Sequence, residues 1–192
     1  MEAMCSDQPA DTKIAAAAPT NSFSANDVGD ILCERGWLVA EVESARDADL
    51  EAWLHRASEL LGPHAADRSA LSTLLEPIFV YDAAAVLRDL ANQDVLARTG
   101  AREVIRELAN CVLDRGDIDS FRFKEMIENM KNTLPYRSRE MFHPIRIALT
   151  GRVGEGELDR VILIIDSAAK LKFAIPVKSA RQRMLEFCSA LD

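Results

Sequence analysis

Glycine and proline are scarce in this 192-residue chain, at eight and seven residues, and aromatics make up only 6%. Sandwiches and barrels need frequent turn residues and strand formers, so with Ala and Leu abundant the composition favours a helical protein. Cysteine is equally sparse. The four, at positions 5, 33, 111 and 188, include no CxxC pair, which argues against a zinc knuckle or a redox dithiol. Cys33, Cys111 and Cys188 lie in apolar helical contexts and read as core thiols of a reducing compartment. No metal and no cofactor is expected. No apolar run approaches the roughly 18 residues of a membrane helix. Glu2 and Asp7 stand where a signal peptide would be basic, and Ala15 to Ala18 is too short for its apolar segment. The expectation is a cytoplasmic protein with no membrane contact.

Positive charge is also in deficit overall. The chain carries 23 Lys and Arg against 31 Asp and Glu, a net −8, which argues against a non-specific polyanion binder. The deficit is uneven. Residues 137–192 hold ten basic and seven acidic residues, net +3, so residues 1–136 carry −11. The acidic total thus hides a basic end.

Residues 1–26, rich in Ala, Ser, Thr, Asp and Pro without apolar period, read as a disordered leader. A single helical domain is expected over 27–192, with sub-bundles at 27–97 and 98–192. The clearest helix follows Asp47, where Leu50, Trp53, Leu54, Ala57, Leu60 and Leu61 form one apolar stripe that Gly62-Pro63 stops. Ser69 is a cap candidate for a helix ending at Pro77, and Asp82 for one from Ala83 to Leu90. Val104 to Val112 is another stripe. A further one, carrying Phe123, Met126, Ile127, Met130 and Leu134, follows Asp119 or Ser120. Val177 to Leu191 closes the chain at helical spacing. Two segments stay ambiguous. Val161 to Ile165 is a β-branched run that propensity alone makes a strand. Phe142 to Gly151 reads as a strand, or as a helix with Pro144 in its first position and Gly151 past its end.

That second segment carries a resemblance. Phe142-His143-Pro144-Ile145-Arg146-Ile147-Ala148-Leu149-Thr150-Gly151 resembles a string near the C-terminus of bacterial glutamyl-tRNA synthetases, in their anticodon-binding domain. Trp53 to Pro63 is similar to that domain's helix before its anticodon-facing turn. Leu74 to Asp82 is similar to the apolar-to-acidic stretch after it. The likeness runs unevenly over 28–192, most clearly at 48–90 and 121–170. It implies an all-α fold of two small packed helical bundles and makes both ambiguous segments helical. The synthetase's His-x-Gly-His string is missing, since His55, His64 and His143 are isolated. Gly151 to Gly156 is no P-loop. A non-catalytic protein is therefore expected, binding tRNA or another structured RNA. The alternatives are a helical protein-interaction module that has lost RNA binding, or the anticodon-binding subunit of a split synthetase that pairs with a catalytic chain.

The resemblance makes Arg146 an RNA-facing residue, set against an ordinary arginine paired with an acid. The turn after Gly151 is where the family approaches anticodon bases, which brings in Arg152, Glu155, Gly156 and Leu158. An ordinary helix–helix loop is the competing expectation there. His64 stands where the family has an arginine, and imidazole lacks that residue's fork and permanent charge. Lys170, Lys172, Lys178, Arg181 and Arg183 form a diffuse basic patch. Trp37 and Trp53 sit on apolar helical positions and read as core rather than stacking platforms. Phe121 and Phe123 flank Arg122 and read as core with a solvated edge.

Overall fold

In the computed structural model, residues 23–39, 47–114 and 116–191 are described. They form ten α-helices, one 3-10 turn and no strand. The helices are α1 (Ala25–Glu34), α2 (Ala48–Leu61), α3 (Arg68–Phe79), α4 (Ala83–Arg88), α5 (Leu90–Leu96) and α6 (Ala101–Asp114). They continue with α7 (Ser120–Thr133), α8 (Ser138–Thr150), α9 (Gly156–Ala168) and α10 (Ala180–Leu191). The described residues are all-helical. Val161–Ile165 lies inside α9, and Phe142–Thr150 inside α8.

Side-chain caps set many of these boundaries. Asp47, Asp67, Asp82, Asp89 and Asp119 each accept backbone N–H groups at the starts of α2, α3, α4, α5 and α7, satisfying donors that have no partner within the helix. At α1, Ser24 and Asp27 form a reciprocal capping box. The Ser24 hydroxyl and N–H both donate to the Asp27 carboxylate, at 2.6 and 2.7 Å, and hold its pKa below the usual carboxylate value. Residues 23–26 therefore belong to the folded part, correcting the expected leader at its end. Residues 1–22 lie outside the described residues.

Two other boundaries differ from expectation. The cap of α3 is Asp67 rather than Ser69, and the helix runs through Pro77 to Phe79. Pro77 cannot supply the amide that would reach the Thr73 carbonyl. The Arg152 guanidinium donates to that carbonyl instead, at 3.2 Å. In α8, Pro144 is interior, because the helix begins at Ser138 and not at the proline. The amide it lacks would serve Glu140, in the exposed first turn. Gly151 ends α8 at φ +79°, as expected for a residue without a Cβ.

The buried apolar side chains fall into two clusters. The first gathers α1, α2, α3 and most of the inner face of α9. Its aromatic centre stacks Trp37 on Phe79 at 4.7 Å, with Trp53 and Phe173 edge-on to Phe79. The Trp53 indole N–H also donates to the Ile164 carbonyl at 3.2 Å. Both tryptophans are thus interior. The second cluster gathers α4, α6, α7, α8 and α10. Helix α9 joins the two, giving Val161, Ile164 and Ile165 to the first and Ile162 to the second. Residues 161–166 are all buried. That all-round burial explains why the run has no helical period in sequence. Cys33, Cys111 and Cys188 are half-buried thiols at the edges of these clusters.

Candidate functional site

Arg146, the arginine of the resembling block, faces inward. Its Nε and Nη2 donate to the two carboxylate oxygens of Asp159 at 2.7 and 2.8 Å, and its Nη1 donates to the Gly154 carbonyl at 2.7 Å. Only 7% of the side chain is exposed. All three guanidinium nitrogens hold the α8–α9 connection together, which is the acid-paired alternative set against the expected RNA contact. Leu158 is buried too, against Gly154, where an added Cβ would meet it at 2.5 Å.

The remaining members of the predicted set are dispersed. Arg152 is ion-paired with Glu76 of α3, which also holds Arg35 at 3.1 Å. Glu155 is exposed and pairs with Arg139 at 3.1 Å. Gly156 opens α9 at the surface. His64 is exposed in the 3-10 turn after α2.

The basic patch also divides. Lys170 pairs with Asp117, which raises its pKa. Lys178 bonds Glu186 at 2.5 Å and the Tyr81 carbonyl at 3.0 Å. Arg181 donates to the Leu113 carbonyl, and Lys172 is exposed. Arg183 is fully buried and donates to four backbone carbonyls: Pro77, Ile78, Leu149 and Lys178, at 2.6 to 2.9 Å. Two of these lie in the last turn of α3 and one in that of α8. The residue is a shared C-terminal cap and not part of a basic patch. Burial lowers its pKa to about 10, with Tyr81 opposing, so it stays charged at neutral pH. The Tyr81 ring lies beside it, 4.9 Å from the guanidinium carbon.

A different set of residues converges where α7, α8 and the start of α9 meet. A groove of about 370 Å³ is lined by Phe123, Lys124, Ile127, Glu128 and Lys131 of α7, Phe142 of α8, and Gly156, Asp159, Arg160 and Leu163 of α9. Lys124 and Arg160 are exposed, and Lys124 stands one turn before Glu128, whose ionised form its charge favours. Lys131 shares its charge with Glu128 at 2.9 Å. The contact lowers the Glu128 pKa. Asp159 is balanced by Arg146, and the Arg146 guanidinium lies 5.3 Å from the Phe142 ring centre. Two half-buried aromatic rings therefore sit among three cations. Of the residues expected at a binding site, Gly156 lines this groove and Arg146 supports it from below.

The sequence pattern puts Phe123 in the core and does not single out Lys124, Lys131, Phe142 or Arg160. A signal is present in α7, where Phe123, Lys124, Ile127 and Lys131 fall on one side of a helix. The partners on α8 and α9 come close only through tertiary packing. Phe121, read with Arg122 and Phe123 as core with a solvated edge, is 77% exposed.

His143 adds an electrostatic feature nearby. It is buried on α8, and neither ring nitrogen has a hydrogen-bond partner among the described residues. Burial lowers its pKa. The neighbouring Arg146, Arg139 and Arg98 lower it further, and Glu155 opposes them. Among the described residues, no group of three or more His, Cys, Asp or Glu is arranged to hold a metal ion. No helix among them is long and apolar enough to cross a membrane. Comparison of the chain with protein families, curated proteins and solved structures found no match.

Proposed function

We propose that this chain is a non-catalytic RNA-binding protein of the two-bundle anticodon-binding type that its sequence resembles, with tRNA as its RNA. The observation that carries this is the groove between α7, α8 and α9. Phe123 and Phe142 offer faces for bases, and Lys124, Lys131 and Arg160 offer charge for phosphates. Single-stranded RNA is held by this combination of stacking and backbone neutralisation. Arg146 acts indirectly, by fixing Asp159 and the turn that opens α9. The direct test is an electrophoretic mobility shift with total tRNA at low and moderate salt. A shift that weakens with salt is expected, and its absence at both salts overturns the proposal.

Two exposed apolar side chains favour a second reading, in which the helical scaffold docks a protein. Phe121 and Leu90 are each 77% exposed, and several cations expected to meet RNA are engaged internally. In that case a pull-down recovers a partner that survives nuclease treatment. If the partner is a synthetase catalytic chain, glutamylation of tRNA by the joined pair identifies a split-synthetase subunit.

A further inference from the structure

We infer that the α7–α8–α9 groove takes one unpaired base of an RNA loop, and that Asp159 selects bases carrying an exocyclic amino group. This rests on the RNA-binding proposal above and assigns a specificity to the same site.

The size of the groove argues for a single base. Its 370 Å³ lies at the low end of the roughly 300–1,000 Å³ of small-ligand pockets. A duplex hides the faces of its bases in the stack, so Phe123 and Phe142 are useful only to a base that has been splayed out. Lys124 on α7 and Arg160 on α9, both exposed at the groove, are placed to neutralise flanking phosphates.

The selectivity comes from Asp159. Its two carboxylate oxygens each accept one hydrogen bond from Arg146. An ionised carboxylate has about four acceptor sites and no donor, so sites remain on the side chain where it lines the groove, 22% exposed. Arg146 also fixes its orientation with a fork that a lysine lacks. The wall thus presents a positioned, acceptor-only group. Cytosine and adenine meet it with amino N–H donors, and guanine with adjacent N–H donors. Uracil offers one N–H set between two carbonyl oxygens, and those oxygens meet the carboxylate with like partial charge.

The test uses fluorescence anisotropy with the full chain and labelled RNA hairpins that share one stem. One hairpin has a homocytidine loop and one a homouridine loop. A third carries 2-pyrimidinone ribosides, which are cytidines without the amino group. The blunt stem alone is the fourth probe. The cytidine loop is expected to bind about tenfold more tightly than the uridine loop, the size of one charge-assisted hydrogen bond. The pyrimidinone loop is expected to fall to the uridine level and the blunt stem below both. Phe123→Ala, at a half-buried position, is expected to remove the difference between loops while its circular dichroism stays native. Equal binding of all three loops overturns the selectivity and leaves the RNA-binding proposal standing. Failure to bind any hairpin or tRNA overturns both.

Discussion

The Arg146 guanidinium grips Asp159 through two parallel hydrogen bonds of 2.7 and 2.8 Å, across the turn between α8 and α9. Removing Arg146 leaves the partly buried Asp159 carboxylate without its partner. Arg146→Ala is expected to destabilise the fold by about 3 kcal/mol, measured by urea unfolding. Arg146→Lys is expected to recover only part of the loss, because lysine cannot form the fork. Equal stability of Arg146→Ala and the native chain contradicts this role.

Arg183 ties the last turns of α3 and α8 to the residues before α10. Arg183→Ala leaves the Pro77, Ile78, Leu149 and Lys178 carbonyls without their donor. At roughly 1 kcal/mol or more per buried group left unsatisfied, a loss of about 3 kcal/mol or more is expected. Arg183→Lys keeps the charge but not the geometry, and should still lower the melting temperature. A surface-patch residue would show no such effect.

Gly100 precedes α6 at φ +89°, and an added Cβ would fall 2.2 Å from the Tyr136 ring. Gly100→Ala therefore meets both backbone strain, about 1–2 kcal/mol, and a ring that must move. Tyr136 donates to Glu103 at 3.1 Å, so the shift also strains that bond. Lower stability is expected in Gly100→Ala and a smaller loss in the double variant Gly100→Ala, Tyr136→Ala.

His143 gives the fold a sign of pH dependence. Its folded pKa is lowered from 6.5, so the unfolded chain binds the proton more readily. Stability from this group is present above the unfolded pKa and is lost as pH falls below it. Glu186 acts in the same direction at lower pH. Burial opposes its ionisation, but hydrogen bonds from Lys178 and the Ala83 N–H outweigh that and lower its pKa. His143→Leu also removes two unsatisfied buried nitrogens. It is expected to match or exceed native stability at pH 7 and to flatten the decline between pH 7 and pH 5. An unchanged decline assigns the effect to another group.

Much of the helical framework was legible in sequence, because its signals are local. The stripe from Leu50 to Leu61 and the Asp47, Asp82 and Asp119 caps each lie within one or two turns of what they determine. The failures have a common physical origin. Pro77 reads as a stop until Arg152, far along the chain, supplies the missing donor. Val161–Ile165 is a strand by propensity alone, because α9 is covered on both sides by separate clusters, and only the resemblance makes it the helix that it is. Arg146 and Arg183 read as solvent-facing by residue type. Their burial depends on Asp159 and on helix ends that meet only after folding. The same holds for the groove, whose Lys124, Phe142 and Arg160 come from three helices.

The central claim is that Lys124 and Arg160 meet RNA phosphates beside the Phe123 and Phe142 rings. Its most direct measurement is the salt dependence of tRNA binding, by fluorescence anisotropy, for the native chain and the Lys124→Ala, Arg160→Ala double variant. Each phosphate that is no longer neutralised should lower the log–log salt slope by about 0.7 to 0.9. The double variant is therefore expected to bind more weakly, with a slope smaller by about 1.5 and native unfolding behaviour. An unchanged affinity and slope in the double variant, or no tRNA binding by the native chain at low salt, contradicts the account.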